Sequence, residues 1–92
     1  MVTYKITGNT NGYIANRDGR FNGKQEITLF SNLSLKDARK ELLSMFNSEY
    51  DTSFPNWGVV MNSKLGKDYC TRHQDGTYTF EYDSRYFMIE EE

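Results

Sequence analysis

Ninety-two residues suffice for one hydrophobic core and are too few for two, so residues 1–92 read as a single domain. A net charge of −2 offers no long-range attraction to nucleic acid or anionic lipid, and no apolar run approaches the roughly 20 residues that span a bilayer. The lone Cys70 excludes an internal disulfide, and without a basic and apolar leader the expectation is a soluble protein of a reducing, cytoplasmic compartment.

From the N-terminus, Val2, Tyr4 and Ile6 alternate with Thr3, Lys5 and Thr7, the period of a half-buried strand, and Glu26 to Phe30 is a second strand-like run. Between them Asn11-Gly12, Asp18-Gly19 and Asn22-Gly23 compete as hairpin turns, so no register follows. Tyr13 to Ala15 is a further short strand candidate. This part of the chain is basic: Lys5, Arg17, Arg20 and Lys24 oppose only Asp18 within residues 1–25, a net +3 that leaves −5 for the remainder. Gly19 to Gln25 reads GRFNGKQ, but a phosphate loop needs four residues between its glycines and a Ser or Thr after the lysine. Here three residues and Gln25 stand in those places, so the segment reads as a turn. The echo of Asn9–Gly12 in Asn16–Gly19 lacks the carboxylates that calcium requires.

Asn32-Leu33-Ser34 fits a glycosylation pattern but reads as a helix entrance. Leu35, Ala38, Leu42, Met45, Phe46 and Tyr50 recur at helical spacing and predict an amphipathic helix over 35–50, with Ser34 as its N-cap and Asp37 able to reach back. Lys36, Arg39, Lys40 and Glu41 fall on its solvated side. Pro55 forbids continuation, which makes 51–56 a loop. Trp57 to Asn62 is a short apolar run rich in β-formers, residues 63–68 form a polar link, and Tyr69 to His73 is the next extended segment.

Asp75-Gly76 suits a two-residue type I′ turn. That turn pairs His73 with Tyr78, Thr71 with Phe80 and Tyr69 with Tyr82, while Cys70 opposes Glu81 and Arg72 opposes Thr79. A second turn at Asp83-Ser84 pairs Tyr82 with Arg85, Phe80 with Phe87 and Tyr78 with Ile89. One face then collects Tyr69, Thr71, His73, Tyr78, Phe80, Tyr82, Phe87 and Ile89 beneath the helix. The other holds Cys70, Arg72, Thr79, Glu81, Tyr86 and Met88. The expected fold is α+β, one amphipathic helix on one face of an antiparallel sheet in the order β-β-(β)-α-β-β-β. Glu90 to Glu92 reads as a solvated tail.

Chemistry is sparse. Cys70 and His73 have a ligand-like spacing, but no second Cys or His exists to complete a zinc site, so neither metal nor cofactor is expected. A small sheet-based hydrolase would need His73 and Glu81 together, and the register above puts them on opposite faces. The fourteen aromatics (one Trp, seven Tyr, six Phe) mostly serve the core. Those left near cations suggest single-stranded nucleic acid at the Arg17, Arg20, Phe21 and Lys24 loop as an alternative. The leading expectation is a noncatalytic protein-interaction or regulatory module, taking a protein partner or a second copy on the open sheet face through Arg72, Tyr86 and Met88, with no membrane contact. Size and an Asn- and Tyr-rich composition resemble small open reading frames of bacteria and their phages. No motif names a family.

Overall fold

In a computed structural model of the chain, residues 2–10, 26–83 and 85–92 are described. They form β1 (Tyr4–Thr10), β2 (Glu26–Leu33), α1 (Leu35–Tyr50), α2 (Trp57–Asn62), α3 (Lys64–Tyr69), β3 (Cys70–Arg72), β4 (Tyr78–Tyr82) and β5 (Arg85–Glu91). The strands make one antiparallel sheet in the order β2-β1-β5-β4-β3, with α1 laid across one face. The fold is the α+β class expected. The turns proposed between Asn11 and Gly23, the Tyr13 to Ala15 strand and the Arg17 to Lys24 loop lie outside the described residues.

The helix α1 has the predicted limits. Ser34 Oγ accepts from the Asp37 amide at 3.1 Å, and Asp51, at φ 53°, closes the last turn. Ala38, Leu42 and Phe46 bury its apolar stripe against Ile6, Ile89, Phe80 and Tyr78. Phe46 is the hub, with ring centroids 5.4 Å from Phe80, 6.0 Å from Trp57 and 4.9 Å from Tyr50. The Tyr50 hydroxyl donates to the Glu81 carbonyl, tying the end of α1 to β4. Burial raises its pKa to about 12.

Trp57–Asn62 is helical, not extended. Asn56 caps it, its Oδ1 accepting from the Val59 amide at 2.9 Å, and Trp57 and Val60 are buried three residues apart while Val59 is exposed. The segment expected as a polar link is mostly the helix α3. Ser63 ends α2 and caps α3, donating to the Val60 carbonyl at 2.6 Å and accepting from the Gly66 amide at 3.0 Å. Gly66 makes the corner possible, because a Cβ there would lie 1.9 Å from the Val60 carbonyl oxygen. The extended run expected from Tyr69 is therefore shortened to Cys70–Arg72.

The β4–β5 register is the expected one, with Phe80 beside Phe87 and Tyr82 beside Arg85. The β3–β4 register is shifted by one residue. Cys70 pairs with Phe80, Thr71 with Thr79 and Arg72 with Tyr78. Gln74, Asp75 and Gly76 form a three-residue loop closed by His73 N–H to Thr77 O at 2.9 Å and Gly76 N–H to His73 O at 3.2 Å. Gly76 alone takes positive φ there, 86°, which is the glycine-bulge hairpin and not the type I′ turn. A one-residue slip exchanges the faces of a strand. Cys70 and Arg72 therefore lie on the helix side, and Thr71 and His73 on the other.

β1 and β5 pair at the centre of the sheet, Ile6 beside Ile89. The face away from α1 carries Tyr86 and Met88, both half-buried, a Lys5–Glu90 ion pair at 3.8 Å, and Thr7, which is fully buried. No helix among the described residues is long and apolar enough to cross a membrane.

Candidate functional site

The corrected register places a cleft of about 510 Å³ between the first half of α1, the 55–57 segment and the β3–β4 hairpin. From α1 come Lys36, Arg39, Lys40 and Leu43, whose spacing of three and four residues puts them on one flank beside the buried stripe. The turn before α2 adds Pro55 and Asn56, α2 adds Trp57, and the hairpin adds Arg72, Gly76 and Tyr78.

Local bonds hold these groups in place. Trp57 lies flat on Tyr78, centroids 4.5 Å apart and planes 8° apart, and its Nε1–H donates to the Arg39 carbonyl at 2.8 Å. The Arg39 side chain then crosses to the hairpin, Nε–H donating to the Gly76 carbonyl at 2.7 Å. A Cβ on Gly76 would come within 2.2 Å of Arg39 Nη2. Only a glycine at this bulge therefore permits both the positive φ and the arginine's approach.

Among the described residues, four cations line the cleft and no acidic residue does. None of the four has an ion-pair partner among the described residues. The nearby carboxylate of Asp75 is already engaged, Oδ1 accepting from Thr77 Oγ1 at 2.6 Å and from the Thr77 amide at 3.0 Å. Those bonds, the side-chain one foremost, lower its pKa. Like charges gathered around one hollow repel each other, and an entering anion relieves that repulsion. In a chain of net charge −2 this is a local reversal of sign. The apolar part of the lining is Leu43, Pro55, Trp57 and Tyr78. A smaller hollow of about 350 Å³ at the hairpin tip shares Arg72 and Gly76 and adds His73 and Gln74.

Of the residues singled out from the sequence, Arg72 is thus in this cleft, and its expected neighbours Tyr86 and Met88 are on the opposite face of the sheet, beside Glu81 and Thr79. Arg17, Arg20, Phe21 and Lys24 lie outside the described residues. Lys36, Arg39 and Lys40 had read as a solvated flank and Trp57 as part of a strand. Their signal was the basic 36–39–40 stripe adjoining Leu43, with a capped Trp close behind Pro55.

His73 is on the sheet face of Glu81, contrary to the opposite-face expectation, and its Nε2 contacts Thr79 Oγ1 at 2.7 Å. Thr79 stands two residues from Glu81 on β4, and among the described residues no hydrogen bond or ion pair joins the His73 ring to the Glu81 carboxylate. Cys70 is 8% exposed and burial raises its thiol pKa to about 12, the opposite of nucleophile activation. No cluster of three or more metal-ligating side chains occurs among the described residues. No family model, curated protein or solved structure matches the chain.

Proposed function

We propose that the protein is a noncatalytic binding module that receives an acidic segment of a partner protein in the cleft between α1 and the β3–β4 hairpin. The observation that carries this reading is the set of four cations, Lys36, Arg39, Lys40 and Arg72, beside the apolar Leu43 and Pro55, with no acid lining the cleft among the described residues. Arginine and aromatic residues are the types concentrated at protein interfaces. An occupant that places an aliphatic side chain against Leu43 and Pro55 and its carboxylates on the rim satisfies both halves of the site.

Protein is favoured over single-stranded nucleic acid by the state of the rings. Base stacking needs an open aromatic face, whereas Trp57 and Tyr78 cover each other and are 6% and 8% exposed. The cleft is also a hollow bounded on three sides, not a track of cations along a groove.

Trp57 is the only tryptophan and lines the cleft, so its fluorescence reports occupancy. Titration with a glutamate peptide bearing a central leucine is expected to change that signal. Binding should weaken as salt is raised from about 0.01 M to about 0.15 M, which shortens the screening length from about 30 Å to about 8 Å. It should fall at least about tenfold in the Lys40→Glu and Arg72→Glu variants. Tighter binding of oligothymidylate than of the peptide, or undiminished binding of the peptide by both variants, would overturn the reading.

A further inference from the structure

The cations of the cleft are gathered at one place. On α1, Lys36 precedes Arg39 and Lys40 by three and four residues, a spacing that sets side chains about 5 to 6 Å apart at Cβ. Arg72, on the helix side of β3, is the fourth. The Arg39 guanidinium is also held in a set direction. Its Nε–H is bonded to the Gly76 carbonyl at 2.7 Å, and among the described residues its Nη1 amino group makes no hydrogen bond.

We infer, on the reading of the cleft proposed above, that the acidic segment it receives is phosphorylated, one phosphoserine or phosphothreonine setting its phosphoryl group among Lys36, Arg39, Lys40 and Arg72. The concentration of charge selects a phosphoryl group over carboxylates. Side chains on one face of an extended segment are two residues, or about 7 Å, apart, so glutamates would meet a cation cluster of one helical turn singly. Each would bring one charge and two oxygens against four cations. A phosphoryl group brings about −1.5 to −2 charge and three acceptor oxygens on a single side chain. Planar guanidinium forks match those oxygens, and arginine clusters are a recurring receptor for phosphorylated segments.

The rest of the lining selects a peptide as the carrier of that group. Trp57 and Tyr78 cover each other and are buried, which leaves neither ring open to the base of a nucleotide. Leu43 and Pro55 offer contact to an aliphatic residue beside the phosphorylated one. Binding at the cleft is then switched on by modification of the partner, through local charge alone.

Two peptides of equal total charge test the inference. One is the glutamate peptide with a central leucine, lengthened by one glutamate; the other is the unlengthened peptide with phosphoserine in place of the glutamate after the leucine. Trp57 fluorescence follows both titrations at about 0.15 M salt, where dispersed charge is screened. The phosphoserine peptide is expected to bind at least about tenfold more tightly. That preference should fall below about threefold in Lys40→Gln and in Arg72→Gln, both at exposed side chains, with circular dichroism showing that each variant is folded. Equal binding of the two peptides would overturn the inference and leave the acidic-segment reading standing, whereas binding of neither would remove both. A preference undiminished in both folded variants would place the phosphoryl group elsewhere and overturn the inference. Inorganic phosphate, AMP or phosphoinositide vesicles bound as tightly as the phosphoserine peptide would also overturn it.

Discussion

Replacing Trp57 by alanine tests the packing that builds the cleft. Its indole is 6% exposed, stacked on Tyr78 at 4.5 Å, 6.0 Å from Phe46, and hydrogen-bonded through Nε1 to Arg39. Large-to-small substitution of a buried aromatic costs about 3 to 5 kcal/mol from lost transfer energy and residual cavity. A chain of this size has about 5 to 14 kcal/mol of stability in all, so a large share is lost. The midpoint of thermal unfolding should fall by roughly 12 to 40 °C, at about 4 to 8 °C per kcal/mol. Trp57→Phe keeps a ring against Tyr78 but has no donor for the Arg39 carbonyl, and should cost only about 1 to 2 kcal/mol. Urea denaturation followed by circular dichroism serves both variants, because the alanine form contains no tryptophan to watch. A loss below about 1 kcal/mol for Trp57→Ala, or equal losses for alanine and phenylalanine, would refute the account of this corner.

Gly76→Ala should destabilise by about 1 to 3 kcal/mol, since alanine is strained at φ 86° and its methyl displaces the Arg39 guanidinium; urea unfolding measures it. The Cys70 thiol, with its pKa raised by burial to about 12, should resist thiol reagents at pH 8 in the folded protein and react once urea unfolds it. Prompt native labelling would contradict its burial. Thr7 is fully buried with its hydroxyl unpartnered, so Thr7→Val should raise stability by about 1 kcal/mol in the same denaturation assay.

The elements legible in the sequence are those in which local chemistry and long periodicity agree. α1 has both a capping serine and sixteen residues of regular spacing, and the β4–β5 ladder follows from a turn that allows one register. Trp57–Asn62 is six residues long, too short for period to separate helix from strand. There the Asn56 and Ser63 caps decide, aided by a glycine that lets α3 press on Val60. Asp75-Gly76 serves a two-residue turn and a three-residue bulged loop equally well. The choice falls to contacts no local reading includes: Arg39 reaching the Gly76 carbonyl, and Asp75 bound by Thr77.

The cleft was hidden for the same reason. Its cations come from α1 and β3, and the face on which Arg72 emerges turns on a single residue of register. A basic helix flank reads as solvated until a hairpin is set beside it. What distinguishes this flank is that no acid among the described residues lines the cleft it faces, a property of the assembled fold.

The claim that the cleft between α1 and the β3–β4 hairpin is the binding surface is tested most directly by mapping where an acidic ligand lands. In a two-dimensional amide NMR titration with the glutamate peptide bearing a central leucine, the largest shifts are expected at Lys36, Arg39, Lys40, Arg72 and Gly76 and at the Trp57 indole N–H. Shifts centred instead on Tyr86 and Met88 or on residues 17–24, with the Trp57 indole unmoved, would contradict it.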